Sequence, residues 1–168
     1  MTGMARRQDV DATRRIATAD ELVAANINPQ TGLATDYLNH FNEAVMLLDI
    51  IPDIPECAQD FLDWRPLSYA EHFTASNFAE RDLAIAAYDD ADAEVRQQFD
   101  AVTSAMTAIL VEVGKAMREV RQDSSRAMLA GKASGWLRPM VMQAGGVING
   151  VSAEDDCAAI DAIMGAAR

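Results

Sequence analysis

The clearest pattern of apolar positions lies between residues 92 and 122. Apolar residues recur there in a strict four-three alternation, at Val95, Phe99, Val102, Met106, Ile109, Val113, Ala116 and Val120. This a/d rhythm is typical of a helix that packs at a shallow angle against other helices. Asp92 is a good N-cap for this helix. The bases Lys115, Arg118 and Arg121 lie near its C-terminal end, where the helix dipole favours positive charge. The pattern predicts one long helix, which we interpret as the spine of a bundle, with a dimer seam as the alternative.

Shorter helices are predicted before this one. An apolar stripe at helical spacing runs through Tyr37, Leu38, Phe41, Val45 and Leu48, and Pro52 ends it. Pro55 can begin a short helix over residues 55–64. Thr18 to Glu21 and Ser68 to Glu71 are capping boxes, which predict helix starts. The second opens a helical region that reaches Tyr88, with a break near Ser76.

The last forty residues are punctuated by helix breakers. We expect interruptions at Ser134-Gly135, a helix that starts at Pro139, and a break at Gly145-Gly146. Ser152 can cap a final helix through Ile160, Ile163 and Met164. Since no segment alternates with period two, the predicted fold is all-α. We expect a polar N-terminal arm over residues 1–17 and a single-domain multi-helix bundle over residues 18–168, built around the long central helix.

Composition and charge narrow the functional classes. The net charge is −12, and residues 36–100 hold 15 acids against three bases, so the chain would repel nucleic acid. The longest uncharged run, residues 139–153, contains three glycines and is too short to span a membrane. The N-terminus lacks a signal peptide, so we expect a cytoplasmic protein. Cys57 and Cys157 are interpreted as reduced structural residues.

Both histidines of the chain lie in the same motif, Tyr-x-x-His-Phe, at residues 37–41 and 69–73. We interpret each imidazole as covering the edge of a helix contact and bonding a carbonyl or carboxylate. The alternative is a metal site in which His40, Glu43, Glu71 and His72 bind zinc, iron or manganese. Bundle di-metal sites usually carry Glu-x-x-His twice, which this chain does not. Tyr37 and Tyr69 are candidate contacts for a ligand or partner.

Three stretches resemble known families. His40 in a helical bundle resembles a histidine phosphotransfer domain, which implies an exposed, phosphorylated histidine. That family carries a lysine just after the histidine, whereas this chain has Glu43 there. Residues 151–165 resemble the amphipathic segment by which the flagellar switch protein and the chemotaxis phosphatase bind a response regulator. That resemblance implies partner contacts at Ile160, Ile163 and Met164. Residues 32–100, which include DYLNHFNE, resemble uncharacterised helical proteins of alphaproteobacteria, and this implies no activity.

The motifs of the common enzyme classes are not found. Glycines at 145, 146 and 150 lack phosphate-binding spacing, and no serine lies in a nucleophile elbow. We therefore expect a non-catalytic cytoplasmic protein, without a cofactor, that recognises another protein or itself. A metal- or small-ligand-binding enzyme centred on the two Tyr-x-x-His-Phe motifs is the alternative. A phosphorelay or response-regulator-binding protein is the third possibility.

Overall fold

A computed structural model describes residues 17–151, together with Ala162 and Gly165. Most of the predicted N-terminal arm and the tail residues Ile160, Ile163 and Met164 lie outside the described residues, as does Cys157. The described part forms seven α-helices: α1 (Ala19–Ala24), α2 (Leu38–Ile50), α3 (Ala58–Asp63), α4 (Tyr69–Ala75), α5 (Arg81–Asp90), α6 (Ala93–Glu119) and α7 (Asp123–Ile148). Short 3-10 turns precede α2 and α3, and the described residues contain no β-strand. The all-α prediction is confirmed.

The predicted helix starts are confirmed by their hydrogen bonds. The Thr18 hydroxyl accepts from the Glu21 amide at 3.3 Å, and the Glu21 carboxylate accepts from the Thr18 amide at 2.9 Å. Ser68 and Glu71 repeat this exchange at 3.2 and 2.7 Å before α4. Asp92 caps α6 by accepting from two amides of its first turn. Local side-chain chemistry therefore determines where these three helices begin.

The core is formed mainly where α7 packs between α6 and α2. The predicted stripe of α2 is buried, and Phe41 and Leu48 are fully enclosed. On α6, Phe99 and Met106 are fully buried within the chain, and Leu110 and Met117 widen the buried face. The long helix is thus an internal bundle element, and the face predicted as a possible dimer seam contacts its own chain.

The predicted interruptions after residue 131 are wrong. α7 is one continuous helix of 26 residues, with Pro139 inside it. Pro139 is exposed, and its missing amide removes one helical bond. α7 contacts α2 closely at Gly145, where an added Cβ would lie 3.7 Å from Leu38, at van der Waals distance. Burial of Leu137 and Ile148 therefore outweighs the poor helix propensity of proline and glycine.

The loop between α1 and α2 is fixed to the end of α7. The Thr31 hydroxyl donates to the Ile148 carbonyl at 2.6 Å in a buried position. Gly32 follows with a φ of 71°, a conformation that glycine adopts readily. This attachment positions the 3-10 turn Thr35–Tyr37, from which α2 begins. In the described part of the chain, no helix combines the length and the apolar character needed to cross a bilayer.

Candidate functional site

The two Tyr-x-x-His-Phe motifs pack against each other. The ring centroids of Tyr37 and Tyr69 are 5.2 Å apart, and those of His40 and His72 are 6.0 Å apart. Trp64, from the end of α3, stacks on His40 with a centroid distance of 4.6 Å. The repeated motif thus forms one aromatic cluster between α2 and α4, and the two histidines do converge.

Both histidines make hydrogen bonds at the edge of this helix contact. His72 Nε2 lies 3.1 Å from Asp36 Oδ2, which is the carboxylate contact expected for a histidine here. His40 differs from the expectation, because its Nε2 accepts from the Leu67 amide at 3.0 Å instead of donating to an oxygen. The neutral His40 ring therefore carries its proton on Nδ1. Tyr37 donates to the carbonyl of the same Leu67 at 2.8 Å, so the motif anchors the segment before α4.

His40, Tyr37 and Tyr69 of the cluster are uncharged at neutral pH. Burial, and then the charge of His72, lower the pKa of His40 to about 4. Burial raises the pKa of Tyr37 to about 12, with the charges of Asp100 and Glu71 acting in the same direction. Burial also raises the pKa of Tyr69 to about 12. None of these three shifts places a group near pH 7, where a general acid or base works best.

The predicted metal ligands are brought together only in part. His40 and His72 adjoin, but the Glu71 carboxylate is used in the capping box with Ser68, whose hydrogen bonds hold its pKa below the usual value. Glu43 is exposed on α2. The carboxylate that contacts a histidine of the cluster is Asp36, which bonds His72 and which the sequence did not predict. Among the described residues, no three His, Cys, Asp or Glu side chains are arranged to hold a metal ion.

A groove runs beside the aromatic cluster, between residues 66–71 and α6. Its larger part has a volume of about 780 Å³, and its charged lining residues are the acids Glu71, Asp100 and Glu112. Its smaller part, about 220 Å³, lies further along α6, and its charged lining residues are the bases Arg65, Lys115 and Arg118. Pro66 and Val111 line both parts, so the two parts adjoin at these residues, and we call them together the α6 groove.

A second feature is an exposed apolar surface on α2 and α7. Of the eight large apolar side chains exposed in the described part, six lie on these helices or just after α2: Met46, Ile50, Ile54, Met128, Trp136 and Met142. Asp49 of α2 bonds both Ser134 and Arg138 of α7, so the two helices are joined at this residue. We call these six residues the α2–α7 surface.

Comparison with known proteins assigns no family to the chain. No protein-family model, curated protein or solved structure matched it. Function must therefore be argued from the cluster, the groove and the surface themselves.

His40, the candidate phosphotransfer residue, is buried. His40 is only 6% exposed, whereas a phosphotransfer histidine must be open to a partner. The exposed position that the resemblance implied for His40 is therefore wrong, and its buried packing against Trp64 and Phe41 is the reason. The resemblance of the tail to a response-regulator-binding segment rests on Ile160, Ile163 and Met164, which the structure does not describe.

Proposed function

We propose that this protein is a non-catalytic binding or regulatory protein that recognises another protein through the α2–α7 surface. The observation that carries the proposal is that six of the eight exposed large apolar side chains of the described part lie on α2, just after it or on α7. Met142 is 78% exposed and Trp136 is 58% exposed. Tryptophan and methionine are enriched in protein interfaces relative to the rest of the protein surface.

The expected partner is an amphipathic helix whose apolar stripe is bordered by acids. Gly131 and Gly135 on α7 have nothing within 4 Å of an added Cβ, so a partner helix can approach the backbone closely there. The apolar positions Met128, Trp136 and Met142 surround these glycines in sequence. The exposed bases of this helix, Lys132 and Arg138, would attract carboxylates at the border of the partner's stripe, and Asp49 offsets only Arg138.

Site-specific photo-cross-linking tests the proposal. A photoreactive residue is placed at position 142 and, as a matched control, at the exposed position 97 on α6. We expect cross-linking to one protein from position 142 only, at a helix with acid-bordered apolar residues, and loss of that product when Trp136→Ser is added. Equal products from positions 142 and 97, or a product that Trp136→Ser leaves unchanged, would contradict the proposal. Circular dichroism verifies that each variant is folded.

The alternative function is metal or small-ligand binding at the histidine pair, as part of a helical-bundle enzyme. The observation that favours it is the 6.0 Å separation of the imidazole rings, with Asp36 at hydrogen-bond distance from His72. A metal would have to replace the hydrogen bond from the Leu67 amide to His40 Nε2, or bind the Nδ1 atoms. Dialysis against zinc, iron or manganese, followed by elemental analysis, distinguishes the cases. Stoichiometric metal that is lost in His40→Gln and His72→Gln supports metal binding at this site; equal metal in all three chains excludes it.

A further inference from the structure

We propose that the α6 groove is a self-association surface, in which α6 of a second copy of this chain packs antiparallel to the first. The α6 groove lies on a different helix face from the α2–α7 surface and does not depend on the function proposed above. Its occupant is inferred from the shape of its floor and from the order of its charges.

The floor of the groove is made of small side chains. Ser104, Ala108, Val111 and Gly114 follow one face of α6 at helical spacing and line the two parts of the groove. Ser104 and Ala108 are exposed, and Val111 is half-buried, whereas Gly114 is buried, with Arg118 Nη1 3.5 Å from the position of an added Cβ. Helices approach each other to about 8 to 10 Å according to the size of the side chains at the contact, and small ones allow the closer approach. This face can therefore receive a helix.

The charges of the groove are separated along its length. Asp100 lies at one end with Glu71, and Arg118 lies at the other end with Arg65. Asp100 and Arg118 are 18 residues apart, which is about five turns and about 27 Å along the axis. Since five whole turns return to the same angle, the two side chains leave the same side of α6. Between these ends Glu112 and Lys115 pair with each other at 2.7 Å, so the groove is acidic at the Asp100 end and basic at the Arg118 end.

A second copy matches this order only when it runs in the opposite direction. With a two-fold axis near residue 109, Asp100 of one copy lies opposite Arg118 of the other, and the same contact recurs at the far end. The same axis places Thr107 opposite Val111 near the centre, and Ser104 at the level of the buried Gly114. A parallel copy would instead place acid against acid and base against base. The groove is thus complementary to itself in the antiparallel arrangement.

The end charges are held in position before any partner arrives. The Tyr88 hydroxyl donates to Asp100 Oδ1 at 2.6 Å, and the Arg118 guanidinium donates to the Leu62 carbonyl at 2.9 Å. Each group retains a further oxygen or N–H for a contact across the interface. Exposed ion pairs contribute little energy individually, so they set the direction of pairing, and burial of the floor supplies most of the affinity.

A charge-swap experiment tests this arrangement. The molar mass of the full chain is measured by sedimentation over a wide concentration range for the wild type, Asp100→Arg, Arg118→Asp and the double variant. We expect a dimer for the wild type, dimerisation weakened roughly tenfold or more in each single variant because two symmetric contacts become repulsive, and recovery in the double variant. Asp53→Arg and Arg81→Asp, at exposed positions outside the groove, control for changes in net charge.

The outcomes separate the proposal from its competitors. A chain that is monomeric at every concentration overturns it, as does a dimer that neither single variant weakens. A dimer that both single variants weaken and the double variant does not restore also overturns it, since the charges would then not meet each other. A dimer that Trp136→Ser disrupts and Asp100→Arg does not would place self-association on the α2–α7 surface instead. Circular dichroism of each variant ensures that a loss of mass does not reflect unfolding.

Discussion

Mild acid should destabilise this protein through His40. The pKa of His40 in the fold is about 4, against an ordinary value of 6.5, because burial and the charge of His72 disfavour the imidazolium. Protonation would also remove the Nε2 lone pair that accepts from the Leu67 amide. As the pH falls, the unfolded chain therefore binds a proton at this residue before the folded chain does.

The size of the effect follows from the difference between the two pKa values. Above about pH 6.5 the residue is neutral in both states and costs nothing. Between pH 6.5 and 4 the unfolded state gains a proton that the folded state lacks, so the free energy of unfolding falls with pH. Each unit of difference corresponds to about 1.4 kcal/mol, so the whole loss is about 3 kcal/mol. Below about pH 4 both states are protonated, and this contribution changes no further.

Urea unfolding of the wild type and of His40→Gln at a series of pH values measures this loss. Glutamine is the matched control, because its Oε1 can still accept from the Leu67 amide but does not titrate. The stability of the wild type relative to His40→Gln should fall by about 3 kcal/mol from pH 7.5 to pH 4, while carboxylate titrations cancel in the difference. A relative stability that stays constant over this range would refute the buried, neutral imidazole. Nuclear magnetic resonance titration of the two histidines, with His72→Gln for assignment, gives the pKa directly.

Two further predictions concern stability. Gly32→Ala should lower the free energy of unfolding by about 2 kcal/mol, because φ is 71° and the new Cβ would lie 2.7 Å from the Ala87 carbonyl oxygen. Gly131→Ala, in the open face of α7, should instead raise it by about 0.5 to 1 kcal/mol. Equal effects of the two variants in urea unfolding would contradict this prediction. Thr31→Val should cost about 1 to 3 kcal/mol, because it leaves the buried Ile148 carbonyl without its donor. An unchanged unfolding midpoint would show that this bond does not hold the loop to α7.

The helix starts could be predicted from the sequence because their causes are local. Thr18, Ser68 and Asp92 each satisfy amides within three residues, and those bonds form with almost any tertiary structure around them. The continuity of α7 could not be predicted in this way. Its glycines and Pro139 favour interruption, and only the two helices packed on either side of α7 supply the burial that overrides them.

The candidate site, too, could be predicted only in part from the sequence. The two Tyr-x-x-His-Phe motifs do form one aromatic cluster, as their recurrence suggested. The acids close to the histidines in sequence, Glu43 and Glu71, are not the carboxylates that contact them. A signal against Glu71 was already present, because the capping box that begins at Ser68 uses that carboxylate. Asp36 lies in the turn before α2 and reaches His72 only because α4 packs against that turn. The α6 groove requires the contact of α6 with residues 62–71, which no local pattern encodes.

The two proposed surfaces together have a consequence that neither has alone. α6 and α7 pack against each other, and their free faces point away from that contact, so pairing through the α6 groove would leave the α2–α7 surface of each copy open. A dimer of this kind would present two identical surfaces to a partner that carries two matching helices. The second contact would then be intramolecular, and avidity can exceed the single-site affinity by about 10² to 10⁴. Asp100→Arg would therefore weaken binding of a two-site partner and leave binding of a single isolated helix unchanged, which separates a dimeric adaptor from a monomeric one.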